Sequence, residues 1–207
     1  MNRPQQGFRV KHLGLRDYTE VWHEMQEFTK RRTESTLDEI WLLQHHPVFT
    51  LGLAGKTEHL LNPGSIPVVQ SDRGGQVTYH GPGQLIAYVM YDLNRAGVGV
   101  RSMVELLQNS VIDLLQQYRI KAHSLSHAPG VYVDNKKIAA LGLRVRHGRS
   151  YHGLSLNFEM DLEPFSRINP CGYPDMQVIQ MRDLAIDATI ENVLEQLGNS
   201  IQNSLSK

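Results

Sequence analysis

The chain has 207 residues, with Lys plus Arg and Asp plus Glu each totalling 21, so its formal net charge of zero supplies no pull toward nucleic acid or an anionic membrane surface. At 41% hydrophobic content it can bury one sizeable core, and one domain over residues 1–207 is expected. A single cysteine excludes an internal disulfide, and the opening MNRPQQGFRVKHLGL has no apolar run long enough for a signal peptide or a spanning helix, so a reducing, cytoplasmic compartment is expected.

No element is assigned before Asp17. From Asp17 to Arg32, Tyr18, Val21, Trp22, Met25 and Phe28 recur at three- and four-residue steps, which predicts a helix whose stripe is core. Glu39 to Gln44 and Pro47 to Leu51 are short, branched and aromatic, and read as strands broken at His45, His46 and Pro47. A long loop follows from Gly52 to Pro63. Strands are expected at Pro67 to Gln70, Gln76 to Tyr79 and Gln84 to Leu93, the last apolar enough to be central in a sheet. AGVGV then opens a second helix over Arg101 to Tyr118, with Val100, Met103, Val104, Leu107, Val111, Leu114, Leu115 and Tyr118 at helical spacing. Ile120 to His123, Val131 to Val133, Lys137 to Val145 and Tyr151 to Asn157 read as antiparallel strands, with turns at Asp134-Asn135 and His147-Gly148. A final helix runs from Ile190 to Leu205. Strands outnumber helices and often follow one another, so an α+β fold is predicted: a mixed, mostly antiparallel sheet with packed helices.

Two familiar site types fail on spacing. TLGLAGKTE ends like a phosphate-binding loop, but Thr50 stands where its first glycine belongs, and Asn62-Pro63-Gly64 stops the chain before a useful helix. The ten histidines are scattered without zinc-site spacing, so no metal and no cofactor are expected.

The chemically capable residues gather in three segments: RGGQVTYHGPG from Arg73, GVYV to KIAALG ending at Gly142, and HGLSLN from His152 leading to INPCGY. The lone thiol, Cys171, sits between Pro170 and Gly172. Free cysteine is usually a small buried hydrophobe, but these neighbours mark an irregular segment that displays a side chain.

Together these motifs resemble the lipoyl(octanoyl) transferases of lipoate biosynthesis, from about Leu37 to Tyr173 and in matching order and spacing. The resemblance implies the fold of the biotin- and lipoate-protein ligases. It implies octanoyl transfer from acyl carrier protein to a lysine of the lipoyl domains of 2-oxoacid dehydrogenase E2 subunits and of the glycine cleavage H protein. It carries Cys171 over as nucleophile and Lys137, the lysine followed by Ile138, as its acid/base partner. A thiol suits this chemistry because one thioester replaces another. If a strand runs through residues 137 to 145, Lys136 and Lys137 face opposite sides and only one reaches the site. Arg73, Gly74, Gly75, Gln76, Val77, Thr78, Tyr79 and His80 match an acyl-binding loop. Ala140, Leu141 and Gly142, with Gly153, Leu154 and Ser155, match further binding segments whose small residues leave room for an aliphatic chain. Backbone N–H groups there or at Gly172 are candidates for holding the thioester oxyanion. A monomer is expected. The competing readings are an ATP-dependent lipoate-protein ligase on the same fold, which needs no nucleophile, and a non-catalytic acyl-carrier binding module.

Overall fold

The structure is a computed structural model that describes residues 7–126, 128–170, 176–184 and 186–206. It opens with a strand that the sequence does not announce, β1 (Phe8–Arg16). This is an edge strand, bulged between His12 and Gly14, and it pairs in parallel with β2 (Asp38–His45). A parallel partner is reached by tertiary contact rather than through a local turn, which is why no hairpin signal marks it. Between the two lies α1 (Tyr18–Arg31), capped by Asp17, whose carboxylate accepts from the Thr19 and Glu20 amides.

Next come β3 (Val48–Leu51), β4 (Val68–Gln70), β5 (Val77–His80) and β6 (Gln84–Met90). The strand expected to reach Leu93 stops at Met90, because Asp92 caps a short helix, α2 (Leu93–Ala96), accepting from the Arg95 amide at 2.9 Å. α3 (Val100–Gln117) then ends in a Schellman cap: Arg119 takes φ +61°, and the Arg119 and Ile120 amides bond to the Gln116 and Leu115 carbonyls. That cap consumes Ile120, so the strand expected from it is corrected to β7 (His123–Ser124) alone. β8 (Gly130–Val133), β9 (Lys136–Arg146) and β10 (Arg149–Asn157) follow as an antiparallel meander, and α4 (Ile190–Leu205) closes the chain's elements. Both meander turns have two positive φ values, +46° and +66° at Asp134-Asn135 and +51° and +75° at His147-Gly148, as two-residue hairpin loops require.

The predicted α+β class holds, but the strands divide between two sheets rather than one. The larger has the order β1-β2-β6-β10-β9-β8-β7, antiparallel except for the β1–β2 pair. The smaller has the order β4-β3-β5. β6 is interior and buried along its whole length because both faces of the large sheet are covered. Leu85, Ala87 and Val89 meet Leu107 of α3 and Leu197 and Ile201 of α4 on one side. Ile86, Tyr88 and Met90 meet Val21 and Met25 of α1 on the other. Among the described residues no helix is long and apolar enough to cross a membrane.

Candidate functional site

The two sheets and the start of α1 enclose a cavity of about 510 Å³ of non-atom space, counting the part open to solvent. All three motif segments meet in it. Arg73, Gly75, Gln76, Val77, Thr78 and His80 come from the loop and strand β5; Ala140, Leu141 and Gly142 come from β9; Gly153, Leu154 and Ser155 come from β10. Ala140 pairs with Ser155 and Gly142 with Gly153, so two of the segments are neighbouring rungs of one ladder. Gly74 does not line the cavity; its amide bonds the Leu143 carbonyl at 2.9 Å and clamps the loop onto β9. Tyr79 points away, into a cluster with Phe49 and Phe165 under the small sheet. Gly75 sits at φ +88°, a conformation that the turn itself requires of glycine. Gly153 is small for a packing reason as well, since a Cβ there would lie 2.1 Å from the Ala87 carbonyl oxygen.

Four wall residues were not among the site residues expected from the sequence: Tyr18, Ile86, Tyr88 and His152, although His152 opens one of the three motif segments. Tyr18 belonged to the apolar stripe read as core. In the structure the stripe divides, Val21 and Met25 entering the core while Tyr18, at the helix start, roofs the cavity. Its hydroxyl bonds Ser71 at 2.6 Å, and its ring stacks at 8° on His80 and at 15° on His152.

Burial keeps the three buried histidines among the described residues neutral, and their hydrogen bonds then assign the tautomers. His45 Nδ1 lies 3.0 Å from the Arg16 carbonyl, which only accepts, so Nε2 accepts from the Tyr88 hydroxyl at 2.7 Å. Burial pushes the His45 pKa down to about 4. His80 donates from Nδ1 to Gln84 Oε1 at 2.7 Å, and burial holds it, too, well below the usual imidazole value. His152 donates from Nε2 to Asp72 Oδ1 at 2.9 Å; burial lowers its pKa despite the nearby carboxylate.

Asp72 accepts four bonds, from Trp22 Nε1 and His152 on Oδ1 and from Gln26 Nε2 and the Tyr151 hydroxyl on Oδ2. Burial opposes its charge, but the bonds from His152, Tyr151 and Trp22 outweigh that and hold the carboxyl well below its usual range. Because the folded-state pKa is depressed, this stabilisation is complete above the unfolded value of about 4 and is lost as pH falls toward the folded one. Asp72→Asn turns an amide NH₂ toward two donors and is expected to cost about 1–3 kcal/mol at neutral pH. Urea unfolding from pH 7 down to pH 3 checks this: the variant should lack the part of the acid-side loss that Asp72 contributes, and parallel curves would remove Asp72 from that role.

Lys136 is exposed and Lys137 is 4% exposed, the opposite facing that a strand imposes on neighbours. The Lys137 ammonium donates to the Pro129 carbonyl at 3.4 Å and lies 5.3 Å from the centre of the Tyr132 ring. β10 pairs with β9 only as far as Leu156 opposite Ala139. Beyond that point Val178 takes the vacated edge, with the Lys137 amide donating to the Gln177 carbonyl at 2.8 Å and the Ile179 amide to the Lys137 carbonyl at 3.0 Å. Cys171 lies outside the described residues. Its described flanks are tied down on both sides, Asn169 donating its amide to the His59 carbonyl and Gln177 accepting from Lys137. The Gly52–Lys56 turn leads only into a three-residue 3₁₀ helix at Thr57–His59, in line with the rejected phosphate loop.

A family model described as the lipoyl protein ligase A/B catalytic domain matches residues 17–202. An octanoyltransferase of Shewanella pealeana is 54% identical over 196 residues, which cover 95% of this chain and 90% of that protein. The chain belongs to the lipoyl protein ligase A/B family. Two solved structures show how far the family fold extends. The bi-partite lipoate protein ligase of Thermoplasma acidophilum superposes with a TM-score of 0.79 at 17% identity, over 97% of this chain and 84% of that one. Biotin protein ligase from Aquifex aeolicus reaches 0.55 at 11% identity, over 95% and 68%. At those identities the likeness is one of fold, and it agrees with the biotin- and lipoate-ligase architecture that the motifs imply.

Proposed function

We propose that this chain transfers an octanoyl group from acyl carrier protein to a lysine of lipoyl domains, through an octanoyl thioester on Cys171 with Lys137 as its acid/base partner. The observation that carries the reading is the cavity: three separate motif segments form one largely apolar slot whose β9 wall continues directly to the buried Lys137. The family membership and the octanoyltransferase relatives support the same chemistry.

In the first half-reaction the Cys171 sulfur attacks the carrier thioester carbonyl, the bond to the carrier sulfur breaks, and Lys137 gives its proton to the departing thiolate. In the second, the incoming lysine, having lost its ammonium proton to solvent, attacks the enzyme thioester as the amine; neutral Lys137 takes the proton that nitrogen sheds as the amide forms, and the Cys171 thiolate leaves. A cation beside the thiol favours its ionised form, which an unassisted cysteine reaches only to a few per cent at neutral pH. The acceptors in this reading are lipoyl domains of 2-oxoacid dehydrogenase E2 subunits and of the glycine cleavage H protein. The enzyme works as a cytoplasmic monomer.

An ATP-dependent ligase would activate a free acid as an adenylate and would leave Cys171 without a purpose. Intact-protein mass spectrometry after incubation with octanoyl-acyl carrier protein, without ATP, separates the two. The expected result is one octanoyl group added to the parent and none to Cys171→Ser. No adduct, together with ATP-dependent lipoylation, would overturn the proposal.

A further inference from the structure

His152 combines three properties that an ordinary strand residue lacks. Its backbone is left-handed at φ +59° inside β10, a conformation uncommon for any residue with a side chain. As a result Tyr151 and His152, neighbours that should face opposite sides of the sheet, stack with ring centres 5.1 Å apart. Its Nε2 is committed to Asp72, and its Nδ1 is buried with no hydrogen-bond partner among the described residues. The imidazole nevertheless lines the cavity, with Tyr18 stacked on it and Tyr88 edge-on at 5.9 Å.

Strand register says where along the cavity this group stands. Ala140 pairs with Ser155, and three residues further from Lys137, Leu143 pairs with His152. Three strand residues span about 10 Å. An extended octanoyl chain, with seven carbon–carbon bonds, is about 9 Å long at ordinary bond lengths. A chain entering beside Ala140 and Ser155 therefore ends against His152.

We propose that His152, held in place by Asp72 and backed by Tyr18 and Tyr88, is the end wall that stops the acyl chain at octanoyl length. The inference rests on reading the cavity as the acyl site. An ordinary apolar tunnel rewards each further methylene by roughly fourfold in affinity. Here the ninth and tenth carbons would run into the buried imidazole and would have to displace it or the Tyr18 ring stacked on it. The wall thus cancels a gain that longer chains would otherwise collect. Asp72 does not line the cavity and acts through the position of His152.

Pantetheine amides of octanoic, decanoic and dodecanoic acid bind without acylating the enzyme, so calorimetry with them reads the wall independently of turnover. The parent is expected to bind the octanoyl amide at least as well as the longer ones. His152→Ala should raise the decanoyl-to-octanoyl affinity ratio by about fifteenfold, the worth of two methylenes that now find room. Tyr18→Leu, which leaves the Asp72–His152 pair intact, should raise it in the same direction. A ratio unchanged in both folded variants, or an equal loss for all three amides, would sink the end wall. Failure of the parent to take an octanoyl group on Cys171 would instead count against the thioester mechanism while the amide ratios still judge His152.

Discussion

Lys137→Ala is expected to lose roughly 10²–10⁴-fold in octanoyl transfer, the range that follows removal of a positioned acid/base group, while Lys136→Ala stays near the parent. The asymmetry comes from β9: Lys136 projects into solvent, and Lys137 is buried against Tyr132 and the Pro129 carbonyl. Lys137→Met retains most of the buried volume and separates lost chemistry from lost packing. Lys137→Arg should fall between, since arginine keeps the charge but is too weak an acid to pass protons. Steady-state transfer with octanoyl-acyl carrier protein measures all four. Iodoacetamide alkylation of Cys171 across pH adds a second readout: without the Lys137 cation, the thiol should ionise at a higher pH. Equal losses in Lys136→Ala and Lys137→Ala would refute the facing argument, and superimposable alkylation curves would take Lys137 out of the thiol's activation.

Asp38→Ala is expected to destabilise the fold by about 3–5 kcal/mol, as breaking a buried ion pair from one side does. The Asp38 side chain is 5% exposed and that of Arg32 is fully buried. Arg32 bonds Asp38 Oδ1, and the Asp92 amide donates to the same oxygen at 2.9 Å. Arg95 approaches it to 2.8 Å without hydrogen-bond alignment, so it contributes attraction but little direction. Arg149 completes the cluster through Asp92 at 3.4 Å and through the Arg32 carbonyl at 2.7 Å. Three arginines thus share two aspartates, and Arg32 already has two buried donor nitrogens without a hydrogen-bond partner among the described residues. Removing Asp38 takes away the carboxylate bonded to that buried guanidinium and leaves only Asp92 of the pair to offset three arginines. The cluster ties the end of α1 to β2, α2 and the β9–β10 turn, the far end of the helix whose first residue roofs the cavity. Urea midpoints of parent, Asp38→Ala and Asp38→Asn test this, the asparagine falling between because it keeps an acceptor. A loss under about 1 kcal/mol in Asp38→Ala would mean that solvent reaches Arg32.

Local signals carried much of the architecture. The period of α1, α3 and α4, the unbroken apolar run of β6 and the turn residues at Asp134-Asn135 and His147-Gly148 each act within a few positions, where side-chain spacing and backbone preference leave one economical conformation. The motif segments were legible for the same reason, as short runs whose residue types and order are already distinctive. What the linear order withheld was every feature made by distant partners. β1 is a strand because β2 offers it an edge, and the small sheet separates because β3 pairs with β4 and β5 instead of joining the larger one. Tyr18 and Val21 share one helical stripe, yet one meets the cavity and the other the core, since only packing decides what stands opposite a helix face. His152 is the clearest case. Strand alternation assigns it one side of the sheet, and a positive φ, secured by the distant Asp72 carboxylate, turns its ring to the other.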